Sequence, residues 1–322
     1  MTLSRMSVFE EMLPRLRRGS ISSNTDFGYT QPMPSVAYQG EPGAYSEQAA
    51  FDCFGPDITP VGRASFDIVF DDVAAGRADF GMVPVENSLA GSVHRNYDLL
   101  MRHELTLIGE AIVRVSHNLI TLPGVALGEI TRVISHWQAL AQCEKSLTTL
   151  LPQAARVEVY DTAGSAKILS EDRRRDTAAV ASKRAATLYG LPILREAIED
   201  DPSNYTRFVA LARPGNPVER ARPASDNVDT SHKTSIVFAT RNVPGSLFRA
   251  MACFAMRDLD LTKIESRPLQ GSPWEYLFYL DFIGDQHDAP CARALAHLSE
   301  YATTLRVLGS YPRAPQRKGD PS

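Results

Sequence analysis

Residues 213–232 read RPGNPVERARPASDNVDTSH, with three prolines, many charges and almost no apolar side chain. Such a segment has nothing to bury on a helix or strand. It therefore reads as a linker, and it divides the 322-residue chain into two separate folding problems. Upstream, strand-like runs (PSVAYQG, ADFGMVPV, TRVISH, ARVEVYD, AAVAS and TRFVALA) alternate with helical patterns (AYSEQAAFDCF, DIVFDDVAAG, HRNYDLLMRH and QALAQCEKSLTTL). That alternation predicts a parallel α/β architecture. Ligands of such sheets gather beyond the carboxyl ends of the strands, where the loops here are QGEPGAYSE, ENSLAGS, SHWQALAQ and DTAGSAK.

Downstream the pattern changes. KTSIVFAT is a strand, and GSLFRAMACFAMRDL places Leu247, Met251, Phe254 and Ala255 on one helical face. LTKIESRP and WEYLFYLDFIG read as a strand pair around LQGSP, with Phe278, Leu280 and Phe282 alternating to one side. CARALAHLSEYA is a second helix and LRVLGSY a last strand. The order βαββαβ over residues 233–312 is the ferredoxin-like split unit, and tails at 1–34 and 313–322 end the chain on either side of the two folded regions.

Hydrophobic residues make up 43% and charged residues 22%, the balance of a globular chain rather than a disordered one. No apolar run approaches the roughly 20 residues of a spanning helix, so no membrane association is expected. The 34 basic and 38 acidic residues are mixed without a one-sided block, which gives no sign of a nucleic-acid partner. Cys53, Cys143, Cys253 and Cys291 are too widely spaced for a CxxC pair and read as buried thiols. The N-terminal stretch lacks the apolar core of a secretory signal, so the glycosylation triplet Asn204-Tyr205-Thr206 is expected to be silent. Arg15, Arg17 and Arg18 among serines leave an organellar transit peptide, plastid or mitochondrial, as an alternative, but Glu10 and Glu11 oppose it, and a cytoplasmic protein is expected.

Three strand-end turns carry polar side chains suited to a ligand. After Val85, Asn87 or Ser88 can cap a following helix, and the same turn offers free N–H groups, an amide and a carboxylate to an anion. After Ser135, Gln138 and Gln142 fall one turn apart on one helical face. In DTAGSAK, Asp161 or Thr162 is the cap and Gly164 permits close backbone approach. His94, His103, His117 and His136 form no metal-ligand spacing, and QGEPGAYSE lacks the glycine spacing of a nucleotide loop.

YQGEPGAYSE, VPVENSLAGS, SHWQALAQC, DTAGSA and NYTRF, in that order and followed by ESRP, resemble the prephenate dehydratases with a C-terminal ACT regulatory domain, from residue 36 to about residue 312. The closely related arogenate dehydratases share the resemblance. It implies a two-lobed catalytic region similar to periplasmic binding proteins over residues 35–212, with lobe one at 35–112 and 204–212 and lobe two at 113–203. The active site would lie in the cleft between them. The implied reaction expels carbon dioxide and water from prephenate to give phenylpyruvate, or from arogenate to give phenylalanine; aromatisation drives it, so no metal or redox cofactor is demanded.

By the same carry-over Thr206 and Glu86 would be catalytic, the hydroxyl polarising the leaving group and its proton relayed from Glu86 or water. Asn87, Ser88, Ser135, Gln142, Thr162, Gly164 and Ser165 line the site, Arg207 clamps a carboxylate and Phe208 forms an apolar wall. Asn242, Pro244, Gly245, Ser246 and Leu247, with Glu265, Ser266, Arg267 and Pro268, would hold phenylalanine as a feedback effector between paired subunits of a homodimer or homotetramer. The sequence departs from the family at Trp137, where relatives carry proline, and at Ser246, where they carry alanine. A non-catalytic amino-acid sensor is the rival reading. It would need the Arg207 clamp but has no use for the Thr206 hydroxyl.

Overall fold

A computed structural model describes residues 33–216, 231–268 and 276–314. The first sheet comprises β1 (Ser35–Gln39), β2 (Thr59–Arg63), β3 (Phe80–Asn87), the short β4 (Gly91–Ser92) and β5 (Thr106–Arg114), together with β11 (Tyr205–Ala212), in the order β2-β1-β3-β11-β5 with β4 on β3. Helices α1 (Tyr45–Phe54), α2 (Phe66–Ala74) and α3 (His94–Arg102) connect its strands. The chain then enters a second sheet of β6 (Asn118–Ile120), β7 (Arg132–Ser135), β8 (Ala155–Glu158), β9 (Thr177–Ala181) and β10 (Ile193–Arg195), ordered β10-β6-β9-β7-β8. With it go α4 (Trp137–Gln142), α5 (Glu144–Leu150), α6 (Thr162–Asp172) and α7 (Lys183–Leu188).

The expected parallel pairing holds between β1 and its neighbours β2 and β3, and between β7 and its neighbours β8 and β9. It fails at β11, which is antiparallel to both β3 and β5. The reason is topological: β11 is the return of the chain from the second sheet, so it enters the first from the opposite end. The pattern QALAQCEKSLTTL breaks into α4 and α5 at Cys143, whose φ of −116° and ψ of 12° leave the helical region. Nor does a helix follow Val85. Strand β3 runs on to Asn87, turns into β4, and α3 begins only at His94 with no side-chain cap.

The third sheet holds β12 (His232–Thr240), β13 (Leu261–Pro268), β14 (Tyr276–Ile283) and β15 (Ala302–Pro312), with α8 (Ser246–Ala255) and α9 (Ala289–Tyr301). Its order β13-β14-β12-β15, antiparallel throughout, is the βαββαβ unit read from the sequence. Residues 217–230 of the linker and the LQGSP connection lie outside the described residues, and His232 already belongs to β12.

One face of the first sheet packs on α1 through Val36, Tyr38, Ala49, Met82 and Ala210. The other face buries Val69 and Phe70 of α2 and Leu99 and Leu100 of α3, and the same core continues into Val237, Tyr279, Leu308 and Tyr311 of the third sheet. The third sheet therefore seats directly on the first sheet, while its own far face is covered by α8 and α9 through Phe238, Phe254, Phe282 and Leu298. Each such large side chain contributes about 1.5–3 kcal/mol when fully buried. All four cysteines are buried free thiols.

Candidate active site

Between the first two sheets lies a cleft of about 730 Å³. Thr206, Asn87, Gln142, Thr162 and Phe208 line it, and with them Tyr45, His117, His136 and Gln138. Alternation along β11 explains the choice. Thr206 and Phe208 share one face, and the partner that register places opposite Thr206 on β3 is Asn87.

The hydrogen bonds of this group have a fixed polarity. Asn87 Oδ1 accepts from Leu89 N at 3.0 Å and Ala90 N at 2.8 Å, so its other end must be the amide nitrogen. Asn87 Nδ2 then donates to Asn204 Oδ1 at 2.8 Å and to Thr206 Oγ1 at 2.9 Å. Asn204, its oxygen so engaged, turns its own Nδ2 to Gln142 Oε1 at 3.0 Å. Gln142 Oε1 also lies 2.9 Å from His117 Nε2, which as its donor must carry the proton. Burial holds the His117 imidazole below its ordinary value, although the hydrogen bond to Gln142 opposes this, so the ring is neutral at pH 7. At the two ends of the chain, the Thr206 hydroxyl proton and the Gln142 amide nitrogen have no partner among the described residues and are available to a ligand.

The lobes are fastened across the cleft by the QGEPGAYSE loop. Glu41 accepts from Tyr160 Oη at 2.9 Å and from Lys167 Nζ at 3.0 Å, and Ser182 Oγ donates to Gly43 O at 2.7 Å. Glu47 binds Gly43 N at 2.9 Å and Arg184 Nε at 2.6 Å. Gly43 is required here: its φ is 94°, and a Cβ would come within 2.7 Å of Ala185 Cα.

Several expected site residues lie elsewhere. Arg207, between Thr206 and Phe208, points to the opposite face of the sheet and does not reach the cleft. Its Nε binds Glu110 at 2.7 Å, Nη1 binds Asp281 at 2.5 Å and Nη2 binds Tyr311 Oη at 2.9 Å, which pins β11 to the third sheet. Glu86 is register-paired with Arg207, shares its face, and forms an ion pair with Lys263 Nζ at 3.1 Å. Ser135 and Ser165 are fully buried and both reach Val180 O, at 2.7 and 3.1 Å. Ser88 ties the returning chain, donating to Ser203 O at 2.6 Å and accepting from Tyr205 N at 2.9 Å. Gly164 does not line the cleft; a Cβ there would meet the Tyr160 ring at 2.9 Å, and Asp161 rather than Thr162 caps α6.

The expected effector residues also divide. Asn242, Pro244 and Gly245 form an exposed turn leading into Ser246 and Leu247 of α8, with Gly245 at a φ of 79°. On β13, Ser266 and Pro268 are exposed, whereas Glu265 and Arg267 are engaged by the catalytic lobe. Glu265 contacts Ser92 Oγ and lies 3.1 Å from His94 Nδ1, and Arg267 pairs with Asp98 at 3.1 Å. Strand alternation again accounts for the split. His117, Tyr45 and His136 were missed by sequence reading; a histidine outside a metal-like spacing carries no local signal of its role.

The prephenate dehydratase family model matches residues 36–216. Arogenate dehydratase/prephenate dehydratase 6, chloroplastic, of Arabidopsis thaliana is 48% identical over 86% of this chain and 68% of its own length. The chain spans about two thirds of the length of its plant relatives. Among solved structures, the prephenate dehydratase of Arthrobacter aurescens in complex with L-Phe is 35% identical with a TM-score of 0.75, covering 87% of this chain and 90% of that one. GqqA, described as a novel type of quorum quenching acylase, is 36% identical with a TM-score of 0.76, covering 87% of this chain and 98% of that one. The chloroplastic names of three Arabidopsis relatives go against the expectation of a cytoplasmic protein. With most of the catalytic region matched and a cleft built from the family's own motifs, the chain belongs to the prephenate dehydratase family, whose members are carbon–oxygen lyases.

Proposed function

We propose that the cleft carries out the decarboxylating dehydration of prephenate or arogenate, with Thr206 as the donor to the departing hydroxyl. The ring carboxylate leaves as carbon dioxide, its bonding pair enters the ring, the far C–O bond breaks, and the oxygen takes up a proton to leave as water. The polarity of the Asn87–Thr206 bond carries the reading. Because Asn87 Nδ2 donates to Thr206 Oγ1, the threonine proton is directed away from Asn87 and toward the cleft. Gln142 offers a second donor to a substrate carboxylate, Thr162 lies at the same wall, and Phe208 and Val115 supply apolar surface that favours carbon dioxide over a carboxylate. Glu86 faces the third sheet, so the proton for water comes through the Thr206 hydroxyl or solvent and not from that carboxylate.

The test is turnover of the full chain with each substrate, followed by the ultraviolet absorbance of phenylpyruvate or by phenylalanine release. Thr206→Ala lowers kcat by about 100-fold or more with the fold intact, the scale for a lost transition-state donor, and Thr206→Ser retains much of it. Near-normal turnover of the alanine variant rules the role out.

The βαββαβ unit acts in this reading as an ACT domain that binds phenylalanine between paired subunits and feeds back on the rate. Support comes from Leu247 and Phe248 of α8, left 38% and 77% exposed directly after the Gly245 turn, and from Ile264 of β13 at 47%. The Arthrobacter aurescens relative was solved with L-Phe bound. Light scattering should show a dimer or tetramer, and calorimetry should show heat on adding phenylalanine.

A further inference from the structure

The donor-lined interior of the cleft is uncharged. Among its described lining residues, the only carboxylate and the only guanidinium are Asp67 and Arg95, and no lysine is present. Asp67 stands in the first turn of α2 and Arg95 in the first turn of α3. They pair with each other: Arg95 Nη2 and Nε approach the same oxygen, Asp67 Oδ2, at 2.6 and 3.0 Å. No described side chain engages Asp67 Oδ1. The side chains keep exposures of 35% for Asp67 and 64% for Arg95, so the pair sits where the cleft opens to solvent.

A guanidinium beside a carboxylate whose second oxygen meets no other described side chain is the complement of an α-amino acid head group, which presents a carboxylate and an ammonium from one carbon. It is a poor complement for an α-keto acid. Asp67 offers a keto oxygen no donor and repels the additional net negative charge that prephenate carries relative to arogenate. We infer that Asp67 and Arg95 read the amino-acid end of arogenate, Arg95 taking its carboxylate and Asp67 its ammonium, and so bias the cleft toward the amino substrate. The inference rests on the dehydratase reading and adds to it a choice between the two substrates. Hydrogen bonding from Arg95 holds Asp67 below the usual carboxylate range, so it is ionised at neutral pH.

The experiment compares kcat/KM for arogenate and prephenate in the full chain, in Asp67→Asn, in Asp67→Glu and in Arg95→Gln. Asp67→Asn is expected to lower the arogenate-to-prephenate ratio by about tenfold, as for loss of a charge-assisted hydrogen bond, mostly through arogenate. Asp67→Glu keeps the charge and stays nearer the parent ratio. Arg95→Gln weakens both substrates together, because both carry the side-chain carboxylate. An unchanged ratio in Asp67→Asn overturns the inference. So does a parent chain that consumes prephenate alone, which leaves the dehydratase reading standing. A chain that consumes neither substrate overturns that reading and the inference with it.

Discussion

In the proposed reaction the Thr206 hydroxyl must donate, and Asn87 aims its proton by occupying the oxygen of Thr206 from the other side. Asn87→Asp tests this with little change of shape: the carboxylate still accepts from Leu89 N and Ala90 N but has no proton for Thr206 or Asn204. Its kcat should fall by about 100-fold, comparable to loss of the hydroxyl itself, while thermal melting stays near that of the parent. His117 gives a second prediction. Its folded value is held below the ordinary one of about 6.5, so the unfolded chain takes up the proton first as pH falls. Stability is fully present above about pH 6.5 and declines on acidification below it; His117→Gln should remove that share of the decline in melts taken from pH 7 to pH 5.5. Thr206, Asn87 and Gln142 were legible because the motifs that contain them are distinctive. Arg207 and Glu86 were misplaced because a motif read as a string hides which face of a strand each letter occupies.

At the level of elements, glycines mark close approaches on both sides of the first sheet, Gly43 against Ala185 of α7 and Gly309 against β5. A Cβ on Gly309 of β15 would come within 2.1 Å of Leu107 O on β5, a neighbour that is backbone and cannot swing aside. Gly309→Ala should cost about 1–3 kcal/mol of stability, the range for overpacking, read as a lower denaturation midpoint. β5, β6, β10 and α7 went unread, although six strands of the first two sheets and all four of the third were visible from periodicity. Strand β2, with the sequence TPVGR, was not, since its short run with a proline and a glycine has little strand propensity and relies on pairing with β1. The antiparallel sense of β11 was also hidden, because direction is set by where the chain has been, through the second sheet, and not by local residues.

Across the whole molecule, a buried ionic cluster joins the catalytic sheet to the third sheet. Glu110 accepts from Arg207 at 2.7 Å, from Lys233 at 3.0 Å and from Ala314 N at 3.1 Å, while Asp281 holds the other arm of Arg207. Burial alone would raise Glu110, but Arg207 and Lys233 bring it down to about 2. The stability this supplies is complete above the ordinary glutamate value of about 4.3 and is lost as pH falls from there toward about 2. Glu110→Gln leaves buried Lys233 without its carboxylate, while Arg207 keeps Asp281, and should destabilise by about 3–5 kcal/mol, with a flatter acid limb in denaturation curves. None of these partners could be matched from sequence, since Glu110, Arg207 and Asp281 stand far apart in the chain and meet only once two sheets are stacked. Because Thr206 and Arg207 are consecutive, a slip of β11 by a single position would thrust a guanidinium into the reaction chamber and leave Glu110 and Asp281 facing a bare alcohol. The cluster thus favours the one alignment that delivers the Thr206 hydroxyl to the cleft.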